Sequence, residues 1–259
     1  MSDAIAAEWL KLRSVRSTYY VLGTALAFVG LAALLTWYAV ATWDGMDAAR
    51  RSHFALSPLT DTTSWVAALC LGVLGVIAMT TEFRNGCLRT SLVVVPNRRA
   101  FLLSKATVVG ATALATGEAV TLGTFAVDHL IVGGRPIQGQ PTSVGSEVPS
   151  LLVTGASVAV YALLGLGLAA VMRSAAGAIV TIALLWWVIP LFVWHLPAPW
   201  NERMGSFMLG GLPEQIAGGE HGQSIYGSLL PSPVAAAVLL AYAAIPLAAA
   251  TIAITRRDA

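Results

Sequence analysis

The sequence predicts an all-α, polytopic membrane protein with six transmembrane helices. Hydrophobic residues make up 57% of the chain and charged residues 11%, with a mean hydropathy of +0.75, whereas soluble domains carry about 25% charged residues. Six apolar runs approach the roughly 20 residues that a helix needs to cross a bilayer. These runs are 20–41, 65–81, 106–132, 151–172, 175–194 and 234–254. The second run is the shortest, so the ends of its helix are predicted least sharply.

The N-terminal segment, residues 1–17, is predicted to form an amphipathic helix that lies on the membrane surface. Ile5, Trp9, Leu12 and Arg16 recur at helical spacing, and a tryptophan suits the headgroup boundary. A frayed polar tail is the alternative. The segment has no short apolar core followed by small cleavage residues, so no signal peptide is predicted.

The distribution of basic residues predicts that both termini are cytoplasmic. Positive charge is retained on the cytoplasmic side of a membrane. Eleven of the fifteen Lys and Arg residues fall in the N-terminus, the second-to-third and fourth-to-fifth connections and the C-terminus. The other four are Arg50, Arg51, Arg135 and Arg203. No basic stripe with interleaved aromatic residues is present, so no nucleic-acid partner is expected.

The three outer connections are predicted to differ in structure. The first, 44–64, is polar, and the second, 133–149, is rich in turn residues without periodicity, which indicates an exposed loop. The third, 195–233, is longer and is interrupted by prolines and glycines. A pair of short re-entrant or surface helices is predicted there, and a plain long loop fits the composition equally well.

Small residues are frequent in two stretches of the predicted spans, 110–117 and 163–170. Glycine and alanine let helix backbones approach closely in a membrane. Such packing serves either one bundle or a dimer interface, and we expect it within the chain. No long polar segment divides the sequence, so we predict one transmembrane domain over 1–259.

Motifs for catalysis and cofactor binding are absent from the sequence. It has no G-x-x-x-x-G-K-[ST] phosphate loop, no H-E-x-x-H, no Cys/His cluster with ligand spacing and no G-x-S-x-G. We therefore predict no catalytic residue, no metal site and no cofactor bound by this chain itself. A membrane-embedded hydrolase with an unfamiliar set of residues is the remaining enzymatic alternative.

Glu118 is the ionisable residue that lies deepest in a predicted span, midway along the third. An ionisable group in hydrocarbon is costly and therefore suggests a function. Glu118 could face a translocation path, contact a cationic substrate or pair with a polar group of a neighbouring helix. A structural glutamate, hydrogen-bonded or protonated between helices, is an equal alternative. Asp128 and His129, near the outer end of the same span, are predicted to be interfacial.

The densest charge in the chain follows the second span. Glu82, Arg84 and Arg89 precede Pro96, and the apolar residues among them recur at helical spacing. This pattern predicts a short interfacial helix in 82–96 whose charged side chains face water or a partner. An ordinary positive-inside anchor is the alternative, although it does not explain the acidic Glu82.

Two short motifs carry a family resemblance. The first is Glu8-Trp9-Leu10-Lys11-Leu12-Arg13-Ser14, and the second is Thr81-Glu82-Phe83-Arg84-Asn85-Gly86 followed by Arg89-Thr90-Ser91-Leu92. They resemble motifs in the membrane permeases of ATP-binding-cassette (ABC) exporters of the ABC-2 type. The predicted layout also resembles this family over the whole chain, with a surface helix, six spans, inside termini and an elaborated last outer connection.

The resemblance implies a single ABC-2-type transmembrane domain in the bacterial inner membrane. It would assemble with a second permease copy, identical or paralogous, and with ATPase subunits that bind ATP and Mg²⁺. Segment 82–96 would be the cytoplasmic coupling helix that docks on the ATPase. Its coupling residues would be Glu82, Phe83, Arg84, Gly86 and Arg89.

The resemblance also implies a function, export of a hydrophobic or amphipathic compound such as an antibiotic, another drug or a lipid-like molecule. The substrate would pass at the interface of the two permeases, and Glu118 is a candidate for that path. Two alternatives remain open at this point. One is a proton-coupled secondary carrier that uses Glu118, and the other is a membrane accessory or scaffold protein without transport activity.

Overall fold

The computed structural model describes residues 2–84, 97–140, 144–218 and 230–256. Within these residues, six helices are long and apolar enough to cross a membrane. They are span 1 (Arg16–Asp44), span 2 (Thr60–Arg84), span 3 (Arg98–Val132), span 4 (Val144–Met172), span 5 (Ala175–Trp194) and span 6 (Ser232–Arg256). The predicted all-α class with six spans is confirmed.

Several spans continue beyond their apolar runs because polar residues extend the helices at both ends. Span 3 begins at Arg98 instead of residue 106, since the side chain of Asn97 accepts hydrogen bonds from the amides of Arg99 and Ala100 at 3.1 and 3.2 Å. Such a cap satisfies amides that the first helical turn leaves without a partner. Span 2 also extends beyond its apolar run at both ends, from Thr60 to Arg84.

The N-terminal helix comprises Ser2–Ser14 and is separated from span 1 by Val15, whose backbone is extended. It packs against the beginning of span 3 through the buried side chains of Glu8 and Leu12. Trp9 points away from the bundle and is 45% exposed, as suits a residue at a membrane boundary. We call the end of the bundle that carries this helix the inner end, after the predicted orientation, and the opposite end the outer end.

Span 4 forms the centre of the bundle, where it packs against spans 2, 3 and 6. Of its most apolar window 61% is buried, compared with 22% for spans 1 and 6. Glycines make the close approach of spans 2 and 4 possible. A Cβ at Gly75 of span 2 would overlap the carbonyl oxygen of Ala162, and a Cβ at Gly165 of span 4 would overlap the carbonyl oxygen of Gly72. The small residues of 163–170 thus serve packing within the chain.

Span 5 has a π-helical turn, Leu184–Val188, between two α-helical pieces, Ala175–Ala183 and Ile189–Trp194. Pro190 follows the turn and has no amide hydrogen to donate, a common cause of such irregularities. The turn places Trp186 inside the bundle, stacked on Tyr161 with ring centroids 4.2 Å apart.

Hydrogen bonds join the first two outer connections to each other, and these contacts were not predicted from the sequence. Arg135 donates two hydrogen bonds to the carboxylate of Asp44, at 3.0 and 2.9 Å. The amide of Leu56 donates to the carbonyl oxygen of Gln138 at 2.9 Å, and the side chain of Gln140 donates to Leu56 at 2.8 Å. Sequence periodicity did not indicate these contacts because they connect residues about eighty positions apart.

The third outer connection contains two short helices in its described part, Trp200–Gly205 and Leu212–Ala217. Leu212 is fully buried in the main hydrophobic core, and the second helix packs against spans 4 and 6. Buried Gln215 donates to the carbonyl oxygens of Ser206 and Gly211 at 2.9 and 3.2 Å. The predicted pair of short helices is present, and its re-entrance into the membrane stays a prediction.

Candidate functional site

The end of span 2 carries the first residues of the predicted coupling segment. Glu82, Phe83 and Arg84 are its last three residues, of which Glu82 is buried, Phe83 half-buried and Arg84 exposed. Gly86 and Arg89, with the rest of the segment up to residue 96, lie outside the described residues. The assignment of 82–96 as a coupling helix therefore stays a prediction.

Glu82 belongs to a group of four charged side chains, Glu8, Lys11, Glu82 and Lys105, which we call the four-charge cluster. Lys11 Nζ donates to Glu8 Oε1 and to Glu82 Oε1, both at 2.8 Å. Lys105 Nζ donates to Glu8 Oε2 at 2.5 Å and to Glu82 Oε1 at 3.1 Å. Each lysine thus contacts both carboxylates, and the cluster joins the N-terminal helix to spans 2 and 3.

The four-charge cluster is mostly shielded from solvent. The side chains of Glu8, Glu82 and Lys105 are 7%, 5% and 4% exposed, whereas that of Lys11 is 43% exposed. Burial by itself lowers the pKa of Lys11, but hydrogen bonds to Glu8 and Glu82 outweigh it, so this pKa lies above its ordinary value. Two carboxylates and two ammonium groups balance one another, which makes their shared burial tolerable.

The aromatic ring of Phe101 lies near both lysines of the four-charge cluster. The Nζ atoms of Lys105 and Lys11 lie 5.5 and 6.0 Å from the ring centroid of Phe101, within the range of a cation–π attraction. Phe101 is 2% exposed and belongs to the main core. The cluster is therefore seated on packed hydrophobic residues of span 3.

Glu82 does not face water, and its contact with a partner stays a prediction. A carboxylate at the end of an apolar span was expected to point outward, but two lysines from other elements turn it inward. Arg84, two residues later, is exposed, in agreement with the expectation for that residue. Successive helical residues differ in direction by about 100°, so neighbouring charges can face opposite ways.

Phe83 connects the end of span 2 to the turn between spans 4 and 5. The guanidinium of Arg173 lies 5.5 Å from the Phe83 ring centroid. Arg173 holds a left-handed backbone conformation, with φ of 53°, and the following Ser174 caps span 5 by accepting from the amide of Gly177 at 3.2 Å. At the inner end, the predicted coupling residue Phe83 at the end of span 2 therefore contacts the turn between spans 4 and 5.

Sequence reasoning missed the role of Glu8, Lys11 and Lys105. The positive-inside rule treats both lysines as topology signals, and the first family motif contains Glu8 and Lys11 without indicating their contacts. One signal was present: Lys105 is flanked by Phe101, Leu102, Leu103 and Ala106 in a helix rich in apolar residues. A lysine so placed needs an acidic partner, although the sequence does not say which one.

Glu118 lies on span 3 at the contact with span 4. Its side chain is partly buried, and its Oε2 atom is buried without a hydrogen-bond partner among the described residues. A Cβ at Gly155 would come within 2.8 Å of this carboxyl group and of the Thr121 hydroxyl. The glycine thus leaves the space that the carboxyl group occupies.

Asp128 and His129 were both predicted to be interfacial, and the structure separates them. Asp128 is 3% exposed and accepts hydrogen bonds from the Thr36 hydroxyl at 2.6 Å and the Leu59 amide at 3.3 Å. His129 is exposed and stacks on Phe125. Asp128 therefore ties spans 1 and 3 to the residue before span 2, which is a structural role.

Among the described residues, no three His, Cys, Asp or Glu side chains are grouped so that they could hold a metal ion.

Comparison with known proteins assigns the family. No curated protein matches the sequence. The family model described as "ABC-2 family transporter protein" matches residues 4–189, a range that includes the four-charge cluster and Glu118. The chain belongs to the ABC-2 family of transporter membrane proteins.

Proposed function

We propose that this chain is the permease subunit of an ABC exporter for a hydrophobic or amphipathic compound, such as an antibiotic, another drug or a lipid-like molecule. Membership of the ABC-2 transporter family is the observation that carries the proposal. The printed sequence has no phosphate loop. ATP and Mg²⁺ would therefore bind to a separate ATPase subunit, and the permease itself would need no cofactor.

The inner end of the bundle is the proposed docking surface for that ATPase. Exposed Arg84, together with Phe83, marks where the predicted coupling helix 82–96 leaves span 2. Gly86 and Arg89 belong to the same proposal, although they lie outside the described residues. A partner can shift the conformation of the permease only by binding one of its conformations better than another. The ATPase should therefore bind this docking surface with different affinities in its different nucleotide states.

The proposed orientation puts both termini in the cytoplasm of a bacterial cell, at its inner membrane. Support comes from the basic residues at the inner end, among them Lys11, Lys105 and Arg173. Labelling with a membrane-impermeant maleimide tests it in a chain whose native Cys70 and Cys87 are replaced by serine, with Ser14→Cys reacting only from the cytoplasm and Ser52→Cys only from outside. Both side chains are exposed. Reaction of both from the same side would contradict the orientation.

A second permease copy, identical or paralogous, is part of the proposal. Spans 1, 5 and 6 bury only 22%, 28% and 22% of their most apolar windows, which leaves apolar surface for lipid and for this second copy. The substrate path would run between the two copies, and Glu118 is proposed to contribute to it, since its Oε2 atom has no partner among the described residues.

The decisive experiment is co-expression with an ABC ATPase subunit, followed by measurement of complex formation and ATP turnover. We expect Arg84→Ala, and more strongly Arg84→Ala with Arg89→Ala, to weaken both. The matched control is Glu202→Ala with Arg203→Ala, two exposed side chains at the outer end. If the inner variants behave like this control, the proposed docking surface is wrong.

A proton-coupled carrier is a second candidate, favoured by the Oε2 atom of Glu118, which has no hydrogen-bond partner in the described part of the chain. Its test uses ethidium, a hydrophobic cation, in vesicles that contain the permease without any ATPase. Uptake driven by a proton gradient and abolished by Glu118→Gln would support the carrier. Uptake that requires the ATPase and ATP would support the exporter instead.

A further inference from the structure

We propose that the N-terminal helix is a working part of the coupling apparatus and that Glu8, Lys11 and Lys105 are positioning residues that hold Glu82 at the end of span 2. This inference rests on the proposed function. It adds an element, Ser2–Ser14, that lies some seventy residues away in sequence from the predicted coupling segment. It also assigns a role to three charged residues that have none in the coupling motif.

The four charged side chains contact one another in a reciprocal pattern. Both carboxylates and both ammonium groups take part in two ion pairs each: Glu8 with Lys11 and Lys105, and Glu82 with the same two lysines. An attraction between one acid and one base fixes a single distance. Four attractions among side chains from three elements fix the position of the N-terminal helix relative to both spans that flank the coupling segment.

Because the four-charge cluster is mostly buried, breaking some of its ion pairs while the others stay in place is energetically costly. Glu82 and Lys105 are at most 5% exposed, so a movement of Glu82 away from the lysines would break two ion pairs in a poorly hydrated place. Such a state is strongly disfavoured. A displacement of the end of span 2 would therefore carry the N-terminal helix with it, and a displacement of that helix would reach Glu82.

The hydrophobic contacts alone do not require charged residues here. A buried cluster of ions is weak evidence for stability, because apolar side chains of similar volume often serve as well, whereas registry is its better attested use. Leu12 and Phe101 already provide apolar packing at this contact. The ion pairs add directionality, which a positioning role needs.

The experiment compares three variants of the full-length protein with the wild type, each alone and in complex with the ATPase. Glu8→Gln removes one charge with little change in shape. The fourfold inversion Glu8→Lys, Lys11→Glu, Glu82→Lys and Lys105→Glu reverses every sign and keeps all four attractions, and it is combined with Phe101→Leu so that no carboxylate faces the aromatic ring. Arg135→Gln is the matched control, since it breaks the ion pair with Asp44 at the outer end.

The first measurement, hydrogen exchange of the amides in Ser2–Ser14, needs no ATPase. We expect exchange to accelerate about tenfold in Glu8→Gln, to return to within twofold of the wild type in the inversion, and to be unchanged in Arg135→Gln. If Glu8→Gln leaves exchange unchanged, or the inversion fails to restore it, the cluster does not hold the helix and the proposal is overturned.

The second measurement is ATP turnover per assembled complex, which a merely structural role would not move. We expect at least a threefold change in Glu8→Gln at an unchanged yield of complex, with recovery in the inversion. Accelerated exchange with unaltered turnover would overturn the coupling role. If the wild type forms no complex with the ATPase, the proposed function fails together with the coupling role, and the exchange measurement still decides whether the cluster positions the helix.

Discussion

The carboxyl group of Glu118 in span 3 lies directly against Gly155 in span 4, where a Cβ would come within 2.8 Å of its carbon and of its Oε2 atom. Two helices here share a space that is open only because one residue has no side chain. The nearby Gly117 of span 3 has the reverse relationship, since a Cβ there would overlap the carbonyl oxygen of Gly155. The approach of spans 3 and 4 thus depends on a glycine on each side.

The first prediction concerns that contact. Gly155→Ala should displace Glu118 or separate the helices, and overpacking of this kind costs about 1–3 kcal/mol in free energy of unfolding. Thermal unfolding of the purified protein in detergent measures the effect. Gly30→Ala in span 1 is the control, because nothing lies within 4 Å of a Cβ there and alanine is the better helix former. Equal melting temperatures for the two variants would contradict the prediction.

The second prediction concerns Glu118 itself. Glu118→Met should leave the stability unchanged or raise it, since it replaces a buried oxygen that has no partner among the described residues by an apolar group. Ethidium transport by the complex with the ATPase should nevertheless fall if Glu118 contributes to the substrate path. A loss of stability would instead assign Glu118 the structural role that the sequence left open.

The third prediction addresses the energetics of the four-charge cluster. Lys105→Met leaves both Glu8 and Glu82 without one of their two lysines, and removal of one member of a buried ion pair costs about 3–5 kcal/mol. Combining Lys105→Met with Glu8→Gln should recover part of this loss, because one unbalanced carboxylate is then gone. Melting temperatures of the two single variants and the double variant form a double-mutant cycle, and simple additivity would show that the pair is not coupled.

The fourth prediction separates Asp128 from its neighbour. Asp128→Ala should cost about 1–3 kcal/mol, because it removes both acceptor oxygens and leaves the Leu59 amide and the Thr36 hydroxyl without this partner. His129→Ala should have little effect on stability, since His129 is exposed. Thermal unfolding of both variants in the same detergent provides the comparison. A larger effect at His129 would mean that the helix faces are assigned incorrectly.

The overall architecture was predictable because the bilayer imposes it. Each span needs about 20 apolar residues in one run, so composition along the chain is sufficient to find six helices. The N-terminal helix was predicted from the spacing of Ile5, Trp9, Leu12 and Arg16. Of these, Ile5 and Leu12 lie on its packed face, whereas Trp9 and Arg16 are exposed. Helix ends were less predictable, because a local cap such as Asn97 decides them.

The contacts between charged residues were not predictable from one sequence. Glu8, Glu82 and Lys105 are far apart in the chain, and a count of basic residues treats Lys105 as an independent topology signal and leaves out the two glutamates. The packing of the N-terminal helix and of span 2 on span 3 brings them together. The same reason applies to Asp44 and Arg135, which join two outer connections that composition alone described as loops.

The π-helical turn in span 5 has a consequence for how variants along this helix should be read. A π turn contains one residue more than an α-helical turn needs, so the side chains after Val188 are out of phase with those before Leu184. A systematic substitution scan of span 5 should therefore show two separate stretches of 3.6-residue periodicity, with a shift of one position between them. Trp186 stands at that shift, and alignments of span 5 that place a gap elsewhere would mismatch the buried face of one half.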